Sequence, residues 1–236
     1  MTGAAENSQS APASTGQRPV FDLDATLGER RSIRMFLREK PVPCQLIDEA
    51  LALAVRAPSN SNTQPWHLAL TSGAARDRLV VDLLEAAHSN APPAPTIPPA
   101  FAHHRSETGA IIYPAMGVRR EDKEGRRAAI MRNFEFFRAP IGGVISVHRD
   151  FDYVDSMAVG MFLQTFVLAL CARGVGTCVQ VCVAGYPDVL RRLCDIPDEY
   201  RILAGVAIGY ADPDFAANHL EIPRNPIVEN FTFFDQ

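Results

Sequence analysis

The sequence lacks the features that mark an extracellular, a nucleic-acid-binding or a metal-binding protein. Its five cysteines are odd in number, so they do not form a complete disulfide framework and instead fit a reducing compartment such as the cytoplasm. The net charge of −4 argues against a general nucleic-acid binder. The closest cysteine pair, Cys178 and Cys182, lacks the second ligand pair of a structural zinc site. We therefore expect a cytoplasmic protein without bound metal or nucleic acid.

The sequence also lacks a clear membrane-directing segment. Residues 1–18 have neither a basic start nor an apolar core, so they do not resemble a secretory signal, and their composition predicts a disordered tail. Residues 157–171 are apolar and uncharged, which raises the alternative of a membrane-spanning helix. Polar residues inside the stretch favour a helix buried in the core or at a subunit interface. We therefore expect no membrane association.

Hydrophobic periodicity predicts a chain of mixed helices and strands that forms one domain over residues 19–236. Helical spacing or helix-start signals are present at residues 22–30, 43–56, 76–88, 157–171 and, for a short helix, from Pro187. Short apolar runs predict strands at residues 66–70, 141–147 and 202–208.

Residues 91–138 interrupt this regular pattern. Five prolines between residues 91 and 100 exclude a regular helix or an inner strand there, and no periodicity follows through His103, His104 and Tyr113. A long irregular segment of this kind is typical of a lid, a binding loop or a disordered excursion. The two histidines have no carboxylate or cysteine at a supporting spacing, so we interpret them as ordinary loop residues.

Residues 30–36 form the first candidate binding motif. If the segment is extended, alternation puts Arg30, Ser32 and Arg34 on one side and Ile33 on the other. Two arginines and a hydroxyl can converge on a dianion through charge-assisted hydrogen bonds. The alternative is a solvated basic face, which is the commoner meaning of clustered arginines.

Residues 57–66 form the second motif, and residues 174–180 the third. The second is a run of Ser, Asn, Thr and Gln between Pro58 and Pro65, followed by the only tryptophan, Trp66. Such side chains can pair with every polar edge of a flat heterocycle, although a plain turn has the same composition. The glycines of the third motif bring the backbone close to another element or to a ligand, without the frame of a P-loop or a dinucleotide fingerprint.

Together with the apolar run at 202–210 and the tail that contains Arg224, these motifs resemble the FMN-dependent nitroreductase family. The resemblance extends over about residues 21–235 and is weakest at 91–138. It implies an α+β fold with a central, mainly antiparallel sheet flanked by helices. It also implies an intertwined homodimer with two FMN sites built from both chains.

The resemblance assigns FMN-binding roles by motif. It places the phosphate and ribityl chain at residues of the first motif and the tail, namely Arg30, Arg31, Ser32, Arg34 and Arg224. The flavin would be contacted from the opposite subunit by residues of the second motif, namely Pro58, Ser59, Asn60 and Asn62. The backbone around Val179, Gln180 and Val181 would line the flavin edge near N5, where the two valines depart from the Pro or Gly common in the family.

The activity implied is ping-pong reduction of nitroaromatics, quinones or related acceptors, with NADPH or NADH as hydride donor and flavin N5 as the reacting atom. The chemistry then belongs to FMN, so no catalytic Ser, Cys or His is predicted. Residues 91–138 would shape the pocket for small aromatic acceptors. Two alternatives remain open: another flavoenzyme branch of the same fold (dehalogenase, dehydrogenase or flavin destructase), and a flavin-binding protein without turnover.

Overall fold

A four-stranded antiparallel sheet lies at the centre of the structure, a computed structural model that describes residues 22–91 and 96–235. The strands are β1 (Trp66–Ser72), β2 (Ile141–His148), β3 (Gly176–Gln180) and β4 (Tyr200–Gly209), in the order β1-β2-β4-β3. Three strands confirm the predictions, and β3 was missed. The predicted tail at 1–18 and three of the five prolines lie outside the described residues.

Seven α-helices surround this sheet within the described ranges. They are α1 (Leu23–Glu29), α2 (Cys44–Ala54), α3 (Gly73–Ser89), α4 (Ala102–Ala115), α5 (Lys123–Met131), α6 (Tyr153–Cys171) and α7 (Pro187–Cys194). Local capping explains several boundaries. The Asp22 carboxylate accepts a hydrogen bond from the Ala25 N–H at the start of α1, and Asp152 and Asp155 form a reciprocal capping box at the start of α6. The mixed α and β fold is therefore confirmed.

Helix α4 corrects the prediction that the chain is irregular through residues 103–113. The prolines end at Pro99, in a short 3₁₀ turn, and α4 begins directly after that turn. None of its residues is fully buried, so the helix shows no apolar stripe from which the sequence could reveal it. Pro114 lies in its last turn, and only Ala115 follows it within the helix.

The sheet is covered on both faces. One buried cluster joins residues of α3 and α7 to the sheet, and the other joins residues of α2 and α6. Helix α6 is long and apolar enough, by length and composition, to cross a membrane, but 44% of its apolar window is buried inside the fold. Phe162 of this helix stacks on Trp66 with 4.8 Å between ring centroids. This packing is typical of a core helix.

Ser32 and Ile33 of the first motif pair with β3, the edge strand of the sheet. Ser32 forms a parallel bridge with Thr177, and the Ile33 N–H donates to the Thr177 carbonyl at 3.0 Å. A Cβ added to Gly176 would lie 2.8 Å from Ile33 Cγ1. Gly176 therefore permits the close approach of another segment of the chain, as the first of the two interpretations of the third motif predicted.

Candidate functional site

The arginine-rich segment next to β3 opens into a cavity of about 270 Å³. Arg30, Ser32 and Arg34 line it together, as the alternation predicted, and Arg31 joins them. The opposite wall comes from the C-terminal segment and includes Ala217, Leu220, Glu221, Ile222 and Arg224. The fold thus brings Arg224 to the arginines of the first motif, nearly two hundred residues earlier in the sequence.

The charge of this cavity is positive. Arg31 forms an ion pair with Glu221 at 3.2 Å. Within the described residues, no carboxylate pairs with Arg30, Arg34 or Arg224. The guanidinium of Arg34 donates only to the Ser32 carbonyl, at 3.1 Å, and that of Arg224 to carbonyls of its own segment. A cluster of unpaired guanidinium groups beside a hydroxyl is suited to binding a dianion such as a phosphate.

Asn218 fixes this segment in place, and sequence reasoning missed it. Its side-chain oxygen accepts from the Arg34 N–H at 2.7 Å. Its amide nitrogen donates to the carbonyls of Met35 at 2.8 Å and Asp212 at 2.9 Å. The residue is only 4% exposed, so these bonds are shielded from water. No local pattern marks Asn218 in the sequence, because all three partners lie outside its own turn.

A second cavity, of about 220 Å³, continues from Arg30 and Ser32 between α6 and β3. Its remaining lining is mostly apolar and consists of Gly160, Leu163, Gln164, Val167, Thr177 and Val179. At the end of β3, Val179 and Val181 are exposed while Gln180 is buried. The Gln180 amide donates to the Asn133 carbonyl at 2.7 Å, and its oxygen is buried without a hydrogen-bond partner. The backbone of the two valines therefore flanks an open face.

The second motif lies apart from these cavities in the single chain. None of the five cavities described in this section is lined by Pro58, Ser59, Asn60 or Asn62. Ser61, Asn62 and Gln64 have φ values of 49°, 58° and 48°. Residues other than glycine are strained at positive φ, although Asn is strained less than most. Such strain clusters at functional sites.

Two further cavities flank α4. The inner one, of about 470 Å³, is lined mainly by α4 and α5 and also by Arg34, Asn133 and Phe137. The outer one, of about 600 Å³, includes Arg120 and Arg126. The two share Arg105, Gly109 and Tyr113 on α4. A third small cavity, of about 170 Å³, lies between the arginine segment and residues 174–177.

The prediction that the two histidines are loop residues without a nearby carboxylate is wrong. They lie on helix α4, with a carboxylate one turn away. His103, His104 and Glu107 have ligand atoms within 4.8 Å of one another, and His104 Nδ1 is 3.8 Å from Glu107 Oε2. The assumption of an irregular segment hid this spacing. His103 and Glu107 are exposed. Exposed groups of this kind commonly occur without a metal ion.

The five cysteines are free thiols. Burial raises the pKa of Cys178 to about 12 and the pKa of Cys182 to about 11. Both side chains are therefore protonated at neutral pH and are poor nucleophiles, because the thiolate is the reactive form. The thiols of Cys178 and Cys182 are thus not expected to act as nucleophiles.

Comparison with known proteins places this geometry in context. The model of the Nitroreductase family matches residues 27–210. The chain is 33% identical to 4-nitrobenzoate reductase of Pseudomonas putida over 90% of its own length and 95% of that protein. It is 34% identical to chloronitrobenzene nitroreductase of Comamonas testosteroni, over 89% and 96%. The FMN-dependent nitroreductase NfnB of Mycobacterium smegmatis, solved in complex with NADPH, superposes with a TM-score of 0.83 at 29% identity, over 91% of this chain and 100% of that one.

Proposed function

The chain belongs to the nitroreductase family of oxidoreductases, and on that premise we propose that it binds FMN and reduces nitroaromatic, quinone or related acceptors at the expense of NADPH or NADH. The relatives named above act on nitro compounds, and NfnB binds FMN and NADPH. The observation that carries the proposal is the convergence of Arg30, Ser32, Arg34 and Arg224 on one cavity.

The residues of this site fit FMN in charge and shape. The arginine cavity would hold the phosphate, because guanidinium groups bind phosphates through paired charge-assisted bonds. The adjoining cavity between α6 and β3, with apolar and polar side chains in its lining, would hold one side of the flavin. The backbone of Val179, Gln180 and Val181 would lie at the edge of that flavin. When bound, FMN supplies hydride acceptance and donation at N5, and the protein contributes binding and orientation.

The protein is proposed to act as a homodimer whose two subunits complete each site. Several large apolar side chains are exposed on α6 and the C-terminal tail, namely Tyr153, Met157, Ile227, Val228, Phe231, Phe233 and Phe234. Large apolar side chains left exposed on two elements indicate a protein interface. Pro58, Ser59, Asn60 and Asn62 would then reach the flavin held by the partner chain.

The cavities beside α4 would form the acceptor pocket. They lie in the variable segment 91–138 of the proposed single domain, and Arg34 lines both the arginine cavity and the inner α4 cavity. A pocket of about 470 Å³ is large enough for a small aromatic ring. Reductant and acceptor would use this space in turn, as ping-pong kinetics require, and no side chain would form a covalent intermediate. The free thiols fit a cytoplasmic location.

The visible spectrum of the purified protein tests the proposal. We expect a yellow protein whose flavin absorbance is bleached anaerobically by NADPH or NADH and restored by a nitroaromatic or a quinone. A colourless protein that does not take up added FMN would contradict the assignment. A flavoprotein that neither nucleotide reduces would instead support a non-catalytic flavin-binding role.

A further inference from the structure

We propose that the outer cavity beside α4 is an anion subsite of the substrate pocket. Resting on the proposed function, this inference assigns it an oxyanion ligand, either a carboxylate on the aromatic acceptor or the 2′-phosphate of NADPH. Three arginines, Arg105, Arg120 and Arg126, line the cavity, against one carboxylate, Glu107. The remaining lining is largely apolar and includes Ala110, Tyr113, Pro114 and Val118.

The charges of Arg120 and Arg126 are available for a ligand. Neither Arg120 nor Arg126 pairs with a carboxylate in the described ranges 22–91 and 96–235. Glu107 faces His104, with 3.8 Å between their nearest nitrogen and oxygen atoms. Arg126 is half-buried, whereas Arg105 and Arg120 are exposed. The apolar lining therefore strengthens oxyanion binding most at Arg126, where the local dielectric constant is lowest. The lining thus favours a partly apolar molecule that carries one anionic group.

The position of the outer cavity indicates which end of a bound molecule would carry the anionic group. Arg105, Gly109 and Tyr113 of α4 line both the outer and the inner cavity. The inner cavity also contains Asn133, whose carbonyl accepts from the Gln180 amide at the end of β3. A molecule whose reacting end lies in the inner cavity, next to the proposed flavin edge, would extend its far end towards Arg120 and Arg126.

The experiment compares two charge-matched double variants in the full-length holoenzyme. R120Q with R126Q removes two cavity arginines, and R119Q with R127Q removes two exposed neighbours that do not line the cavity. For the acceptor arm, kcat/KM is measured with 4-nitrobenzoate and with its neutral methyl ester. For the reductant arm, it is measured with NADPH and with NADH.

We expect the cavity variant to lose about tenfold in kcat/KM for 4-nitrobenzoate or for NADPH, the size expected when a hydrogen-bonded charge contact is lost. For the uncharged or less charged substrate of each pair, kcat/KM should change less than about twofold. The control variant should have the kcat/KM values of the wild type. The arm that responds identifies the source of the anion. Equal responses of the two double variants in both arms would overturn the inference.

A binding measurement separates this inference from the proposed function. Calorimetric titration of the oxidised protein compares benzoate with benzamide, and NADP⁺ with NAD⁺, without turnover. Preference for the more anionic probe, weakened by R120Q with R126Q, supports the subsite even if no reductase activity is found. Absence of any preference overturns it even if the protein reduces neutral nitroaromatics. Failure to turn over methyl 4-nitrobenzoate with either nucleotide contradicts only the proposed function.

Discussion

The two polar stretches that the sequence assigns to one site differ sharply in how the single chain holds them. In the first stretch, Ser32 and Ile33 pair with the edge strand β3. The side chain of the buried Asn218 fixes the backbone that follows, at Arg34 and Met35. Residues 57–66 have mostly exposed side chains and, apart from Pro65 and Trp66, few contacts with the core. The first stretch is thus organised by distant parts of its own chain, whereas the second is organised mainly by itself.

The difference is informative because the exposed stretch is also the strained one. Ser61, Asn62 and Gln64 all have positive φ. A left-handed conformation costs a non-glycine residue about 1–2 kcal/mol, and Asn somewhat less. Strain that persists beside solvent, with no role in the cavities of its own chain, points to a function outside that chain. This pattern agrees with the proposal that the second stretch completes a site on a partner subunit.

The largest expected effect comes from removing the arginines of the first stretch, residues 30–36. The double variant R30A with R34A should purify almost without FMN, because each lost charge-assisted contact to a phosphate weakens binding by roughly tenfold or more. The flavin content per subunit, measured by absorbance after denaturation, checks this. R127Q serves as the control, since Arg127 is exposed and lines none of the cavities described above. Full flavin occupancy in R30A with R34A would contradict the phosphate assignment.

The next prediction tests whether the two halves belong to different chains. N60A with N62A should also bind FMN more weakly. When subunits of this variant are unfolded and refolded together with R30A and R34A subunits, each mixed dimer should contain one site with both defects and one intact site. About half of the sites in such dimers should therefore recover FMN. Refolded mixtures that hold no more FMN than the two parents would show that both halves act within one chain.

Much of the fold was predictable because the signal was local. Strands β1, β2 and β4 and helix α6 are runs of apolar residues, and burial of such runs follows directly from their composition. The family assignment was possible because its motifs are short and contiguous, and the match of the family model to residues 27–210 confirms it. Strand β3 was missed because Gly174 and Gly176 suggest a turn, and Gly176 is tolerated in the strand here because Ile33 packs closely against it.

The features that could not be predicted depend on contacts between residues far apart in the sequence. Helix α4 carries no apolar stripe, since its side chains face cavities rather than the core. Asn218 is an ordinary polar residue in sequence, and its importance comes from its distant partners Arg34 and Met35. The pairing of the arginine segment with Arg224 became predictable only through family resemblance, because nothing local connects the two.

A smaller effect is expected when the first stretch loses the hydrogen bonds that position it but keeps its arginines. N218A would leave the Arg34 N–H without its side-chain acceptor and the carbonyls of Met35 and Asp212 without their donor. Loss of these buried bonds should lower the free energy of unfolding by about 2–3 kcal/mol. It should also weaken FMN binding, since the arginines lose their fixed positions.

Urea unfolding and FMN titration of N218A measure these two quantities separately. N225A is the matched control, because Asn225 is exposed on the tail and its side-chain amide donates to the nearby Glu229. Unchanged FMN affinity in a destabilised N218A protein would show that Asn218 supports the fold without positioning the arginines.

The smallest expected effect concerns the second stretch, residues 57–66, whose backbone is strained. S61G should raise the free energy of unfolding by about 1 kcal/mol or less, because glycine adopts the φ of 49° without strain but gains entropy in the unfolded chain. S61A retains a Cβ and should show no gain. If instead both variants are destabilised, the Ser61 hydroxyl, which lies 3.3 Å from Asn60 Oδ1, stabilises the turn. The second stretch would then be held by its own hydrogen bonds rather than kept in a strained form for a partner.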